Sequence, residues 1–217
     1  MCQNQVAIMP LHYLPNIEYL TKFVQFKAIS IEDSENYQKG SFRNRCYIAT
    51  SLGATPLSIP LKKGKNNRQT IREVAISYDV DWQRQHWQSI KTAYGSAPFW
   101  MFYAPVFEKF YQTQYTFLFD FNYEILETIL TILKIKKDIN ISFTGNYEAQ
   151  NIHNPDLSGT EGRDFRNDFS LKNKTFVGKK YAQLFEDRVG FLPNMSALDL
   201  VMCCGNQSLE VLKSSAM

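Results

Sequence analysis

A chain of 217 residues that is 44% hydrophobic, 14% aromatic and 21% charged carries too much apolar content to stay disordered, and it can bury a core without disulfide or metal staples. Its 24 Lys and Arg against 21 Asp and Glu leave a formal charge of +3, too small to argue for nucleic acid as a partner. No apolar run approaches the roughly 20 residues that span a bilayer, and Met1–Leu11 lacks the features of a signal peptide, so a cytoplasmic protein with no membrane span is expected.

Val6 to Met9 form a short apolar run that stops at Pro10, as a buried first strand would. A helix follows, with Pro15 suited to its first position and Ile17, Leu20, Phe23 and Val24 building one apolar face. Lys27 to Glu32 reads as a second strand. Strand, helix and strand in this length make a crossover unit and favour parallel pairing. Arg45 to Thr50 and Pro56 to Leu61 read as a hairpin turning at Ser51, Leu52 and Gly53, and Lys62 to Arg72 as a basic loop. Glu73 to Tyr78 alternates Val74 and Ile76 inward, a strand pattern.

Asp81 is placed to cap a helix through Trp82, His86, Trp87, Ile90 and Tyr94 that ends at Gly95. Ala97 to Tyr111 is an aromatic helical stretch containing Pro105. Asp120 is read as the cap of a third helix with a stripe of Ile125, Leu126, Ile129, Leu130 and Leu133. Ile139 to Phe143 reads as one more strand. Residues 145–175 are polar and aperiodic, the pattern of a mobile loop or active-site lid. Helices are then expected over Tyr181 to Arg188, from the cap Ser196 to Gly205, and over Ser208 to Lys213. The expected class is α/β: a mixed, mainly parallel sheet with flanking helices and a helical C-terminal part, in a single domain over 1–217.

Cys2, Cys46, Cys203 and Cys204 lack zinc-site spacing and read as free thiols, and His12, His86 and His153 show no two-ligand spacing, so no metal is expected. Nucleotide-loop, hydrolase and metalloprotease motifs are absent, and no cofactor is named by the sequence. Three clusters can carry chemistry. His12-Tyr13-Leu14-Pro15-Asn16 joins the first strand to the first helix, where open α/β sheets place ligands. Glu35 to Arg45 packs Lys39, Arg43, Asn44 and Arg45 together, and arginine forks suit phosphate or carboxylate. The helix of His86, Trp87 and Tyr94 is wrapped in aromatics, which serves core packing or stacking on a sugar or base, and a near-neutral His86 would suit proton transfer.

Five collinear segments carry a resemblance: HYLPNIEYLTKF from His12, ENYQKGSFRNRCYI from Glu35, LSIPL from Leu57, HWQSIKTAY from His86 and FLPNMSALDL from Phe191. Together they resemble the WbqC-like protein family, which implies a bacterial protein of O-antigen or other surface-polysaccharide gene clusters. The resemblance draws attention to His12, Tyr13, Pro15 and Asn16, to Arg43, Asn44 and Arg45, and to His86, Trp87 and Tyr94. It adds Arg166, the end of an Asp-x-Arg match at Asp164. The chain departs from it where Ser170-Leu171-Lys172 stands in place of His-Pro-Lys, at Cys203 where Asn is common, and at Asn206 where Pro is common.

The expected function is transfer of an acyl or aminoacyl group to the amine of a nucleotide-linked amino sugar, with an ATP-dependent ligase as a variant. His12 or His86 would take the amine's proton, while Arg43 and Arg45 hold phosphates and Asn16 and Asn44 orient hydroxyls. Tyr13, Lys39, Trp87, Tyr94 and Arg166 complete the substrate-binding candidates, and another phosphorylated small molecule would fit the same groups. The alternative is a non-catalytic binding or assembly protein of polysaccharide biosynthesis.

Overall fold

The structure, a computed structural model, describes residues 2–62, 68–147, 161–169 and 175–216. Much of the expected basic loop and of the 145–175 stretch, and also His153, lies outside them. Strands β1 (Cys2–Pro10), β2 (Phe26–Glu32), β5 (Asn140–Phe143) and β6 (Glu161–Asp164) form one parallel sheet in the order β5-β2-β1-β6. Helix α1 (Ile17–Gln25) connects β1 to β2 and buries Ile17, Leu20 and Phe23. Its cap is Asn16, whose side chain accepts from the Tyr19 N–H, so Pro15 precedes the cap instead of opening the helix. The chain moves outward from β1 through β2 to β5, then returns to lay β6 on the other side of β1. That reversal is a topological switch point, beside which open α/β sheets leave a crevice at the carboxyl ends of their strands.

The hairpin β3 (Arg45–Thr50) and β4 (Gly53–Ser58) stands as a separate antiparallel pair. Helices α2 (Trp82–Tyr94), α3 (Trp100–Gln112) and α4 (Leu118–Ile132) follow, and α5 (Glu186–Val189), α6 (Ala197–Cys204) and α7 (Ser208–Ser215) make the helical C-terminal part. A mainly parallel sheet flanked by helices is the expected α/β class. No helix among the described residues is long and apolar enough to cross a membrane. Cys46, Cys203 and Cys204 are free.

Four further local expectations differ. Residues 73–78 are not a strand: Lys62 donates to Ala75 on one side while Ile76 donates to Thr116 on the other, so the backbone is shared between two segments and no ladder grows. Val74 and Ile76 still face inward. Gly95 closes α2 with right-handed φ −58°, because the chain continues in a turn to Ala97. The cap of α4 is Phe117, placing Asp120 inside the first turn, where its charge complements the helix dipole. Residues 181–185 are not helical, since Tyr181 and Gln183 reach across to buried Asp199, and α5 starts only at Glu186.

Candidate functional site

The loops after β1, β2, β5 and β6 meet at the carboxyl edge of the sheet, and they carry an interlocked set of charges. Arg166, after β6, donates from Nη1 to Glu32 Oε2 at 2.7 Å and from Nη2 to Asp164 Oδ2 at 2.7 Å. Its proton is held more firmly than usual, first by the hydrogen bonds to Asp164. Thr144, following β5, bridges Glu32 and Asp33, and Asp33 also accepts from the Gly145 N–H and from Arg72. Burial would raise the Asp33 carboxyl, but Arg72, Gly145 and Thr144 outweigh it and hold it below its ordinary value. Asp164 is likewise held low, because Arg166 outweighs burial.

Arg43 and Glu35 form a second pair, with Nε to Oε1 at 2.6 Å and Nη2 to Oε2 at 2.5 Å, both side chains 2% exposed. The fork that the sequence offers to a phosphate is therefore closed on an internal carboxylate. Burial raises the Glu35 carboxyl, and Arg43 only partly opposes it. Four carboxylates (Glu32, Asp33, Glu35, Asp164) meet three guanidinium groups (Arg43, Arg72, Arg166) at this edge, leaving negative charge in excess. Beside them opens a cavity of about 320 Å³ lined by Ser34, Glu35, Asn36, Tyr37, Gln38 and Tyr147. The ring of Tyr147 lies against the Arg166 guanidinium at 5.0 Å and is 55% exposed.

His12 sits at the same edge, after β1, with its ring 4.6 Å from Tyr19, 5.4 Å from Phe42 and 5.2 Å from Phe169. Burial, with the Arg43 charge second, keeps it neutral well below the ordinary histidine range. Its Nδ1 has no hydrogen-bond partner. Tyr13 turns the other way, into the helical layer.

There, a relay of polar groups runs from His86: Tyr13 Oη lies 3.0 Å from His86 Nδ1 and 2.8 Å from Tyr111 Oη. Burial pushes His86 down to about 4, below the near-neutral value that proton transfer favours. The residue lies in the core beside Trp82, remote in sequence and packing from the edge network.

The remaining candidates are dispersed. Lys39 is exposed, Asn44 is held by the Ile59 carbonyl, and half-buried Arg45 donates to Ser58 Oγ. Trp87 stacks between Trp100 and Tyr111 and donates to Glu108, while Tyr94 is buried and accepts from the Ala49 N–H. Thus the structure brings His12, Arg43 and Arg166 to one edge, and leaves His86, Trp87 and Tyr94 in the helical layer. Glu32, Asp33, Thr144 and Tyr147 join the edge without having been singled out by the sequence. The one available signal was the acidic run Glu32-Asp33 at the end of a strand. Among the described residues no group of three or more His, Cys, Asp or Glu is placed to hold a metal ion.

The chain is similar, at 25% identity over 227 residues, to the uncharacterised protein Rv1507c of Mycobacterium tuberculosis, covering 97% of this chain and 98% of that one. No solved structure matches it. The description "WbqC-like protein family" matches residues 11–163, from the His12 turn through the Glu35–Arg45 segment and into β6. Arg166 and the Phe191–Leu200 segment lie beyond that span. Because the match covers well over half of its residues, the chain belongs to the WbqC-like protein family.

Proposed function

We propose that the chain is an enzyme of bacterial surface-polysaccharide biosynthesis that transfers an acyl or aminoacyl group to the amine of a nucleotide-linked amino sugar. The observation that carries this reading is the cavity at the carboxyl end of β2. Asn36, Gln38 and Ser34 offer amides and a hydroxyl to sugar hydroxyls, Tyr147 offers a flat face, and Glu35 offers a carboxylate. We place the sugar amine against Glu35, whose carboxylate has lone pairs beyond those that Arg43 takes. The diphosphate then lies outward, toward exposed Lys39 and half-buried Arg45.

An amine that arrives as ammonium must lose a proton before its lone pair can attack an acyl carbon. Glu35, raised by burial and set in the cavity wall, accepts that proton more readily than an ordinary carboxylate. Arg43 keeps it oriented. His86, neutral and tied into the tyrosine relay, positions the helical layer.

The test is mass spectrometry of nucleotide-linked amino sugars incubated with the protein and either acyl-CoA or ATP plus amino acids. A mass gain equal to the acyl group less the amine hydrogen it replaces, absent from the hydroxyl-bearing sugar, is the expected result. Sugar binding without mass gain from any of these donors would favour the second reading, a non-catalytic binding or assembly protein. One observation speaks for that alternative: Met101 and Phe102 on α3 stand 81% and 72% exposed, a feature of protein contact surfaces.

A further inference from the structure

Among the described residues, seven buried side-chain polar atoms have no hydrogen-bond partner. Four of them, His12 Nδ1, Asn16 Nδ2, Tyr19 Oη and Ser196 Oγ, belong to the turn between β1 and α1, to the first turn of α1 and to the residue paired with Asn16 in a β-bridge. Folded proteins leave few such atoms unpaired, because each loses its water without gaining a partner. The grouping lies at the sheet's switch point, where folds of this class take ligands.

The chemistry of the four atoms selects the ligand. Asn16 Nδ2 only donates, the Tyr19 and Ser196 hydroxyls can donate, and neutral His12 can present an N–H. The Arg43 guanidinium acts electrostatically on both His12 and Tyr19, with its charge paired to Glu35. Grouped donors complement the oxygen acceptors of an acyl group. The imidazole is walled by the rings of Tyr19, Phe42 and Phe169, which excludes any but a small group.

We infer that this turn is the acyl subsite: His12, Asn16, Tyr19 and Ser196 receive the carbonyl or carboxylate oxygens of a small acyl or aminoacyl group. The assignment rests on the transfer reading for the fate of that group, and on the turn's own geometry for its binding. It gives the two halves of the reaction separate places on one edge, the sugar at the β2 cavity and the acyl group at the β1 turn.

The test uses sodium acetate and glycine as probes, with nitrogen-15 NMR of the three histidine rings. Saturable movement of the His12 resonances, with His86 unmoved, is the expected result. Tyr19→Phe and Ser196→Ala should each weaken acetate at least about tenfold. Because the Tyr19 hydroxyl is unpaired, Tyr19→Phe should keep or raise the free protein's Tm. No His12 response to either probe overturns the inference. So does a lower Tm for Tyr19→Phe with unchanged acetate affinity, which would mean that an ordered water only fills the turn. Binding of a nucleotide-linked amino sugar to the same variants separates the two claims: sugar binding that fails while acetate still moves His12 removes the sugar site alone, and the converse removes the acyl subsite alone.

Discussion

Arg43→Ala removes a guanidinium from a carboxylate that the fold has already taken out of water. Glu35 and Arg43 are each 2% exposed and share two hydrogen bonds of 2.6 and 2.5 Å. Breaking such a pair from one side costs about 3–5 kcal/mol, since the survivor is left buried and unpaired. For a chain of this length that lowers Tm by roughly 6–20 °C. Urea denaturation followed by tryptophan fluorescence measures the loss directly. Glu35→Leu combined with Arg43→Met should recover most of it, because an apolar pair of similar volume carries no desolvation cost, and the double variant should be far less destabilised than the sum of its singles. A loss below about 1 kcal/mol for Arg43→Ala would place the pair in the range of exposed ion pairs. That result would refute the internal closure of this fork and return Arg43 to the role of a free phosphate clamp.

Stability should also fall in mild acid through His86. Its folded pKa of about 4 lies below the unfolded 6.5, so the unfolded chain takes the proton first. The contribution is complete above pH 6.5 and is lost as pH falls toward 4, about 3 kcal/mol in all. Denaturation midpoints across that range should flatten in His86→Gln relative to the parent, and parallel profiles would contradict the burial argument. Gly205 has φ +52° and a Cβ there would stand 2.4 Å from the Phe99 ring. Gly205→Ala should therefore cost roughly 2–5 kcal/mol from backbone strain and overpacking together, and a Tm within 2 °C of the parent would show that Phe99 moves aside freely. Asp199→Ala should cost about 1–3 kcal/mol, because the buried Tyr181 O–H, 2.5 Å from the carboxylate, loses its acceptor and Gln183 loses one of its own. Unchanged melting would mean that water replaces the carboxylate.

What could be read beforehand was local and periodic. The apolar run Val6–Met9, the Ile17-Leu20-Phe23 face and the β-forming Phe26–Glu32 segment define the β1-α1-β2 unit by short-range pattern alone, and that unit puts His12 at the carboxyl edge. Helix starts were less legible, since Phe117 takes the cap position that Asp120 also suited, and Asn16 caps α1 after Pro15, which suited the first helical position. The edge network was not legible, because its bonds are long-range: Glu32 and Arg166 are 134 residues apart, and Asp33 and Thr144 are 111. A basic cluster alone does not show whether its forks are open. Arg43 closes on Glu35 only because the chain folds back over eight residues. The neutrality of His86 depends on burial, which outweighs the opposing Ser58 backbone, and its link to Tyr13 and Tyr111 joins separate parts of the chain.

The most direct test of the central claim is titration calorimetry of a nucleotide-linked amino sugar against its hydroxyl-bearing counterpart, with the unaltered chain and with Tyr147→Ala. Tyr147 is 55% exposed and packs on the Arg166 guanidinium, so its removal should cost no more than about 1 kcal/mol while stripping the cavity of its exposed aromatic face. The amino sugar should bind at least about tenfold more tightly than the hydroxyl sugar, about 1.4 kcal/mol, and Tyr147→Ala should weaken it by a similar factor. Equal affinity for both sugars, or full affinity in Tyr147→Ala, would contradict the assignment of this cavity to an amino sugar.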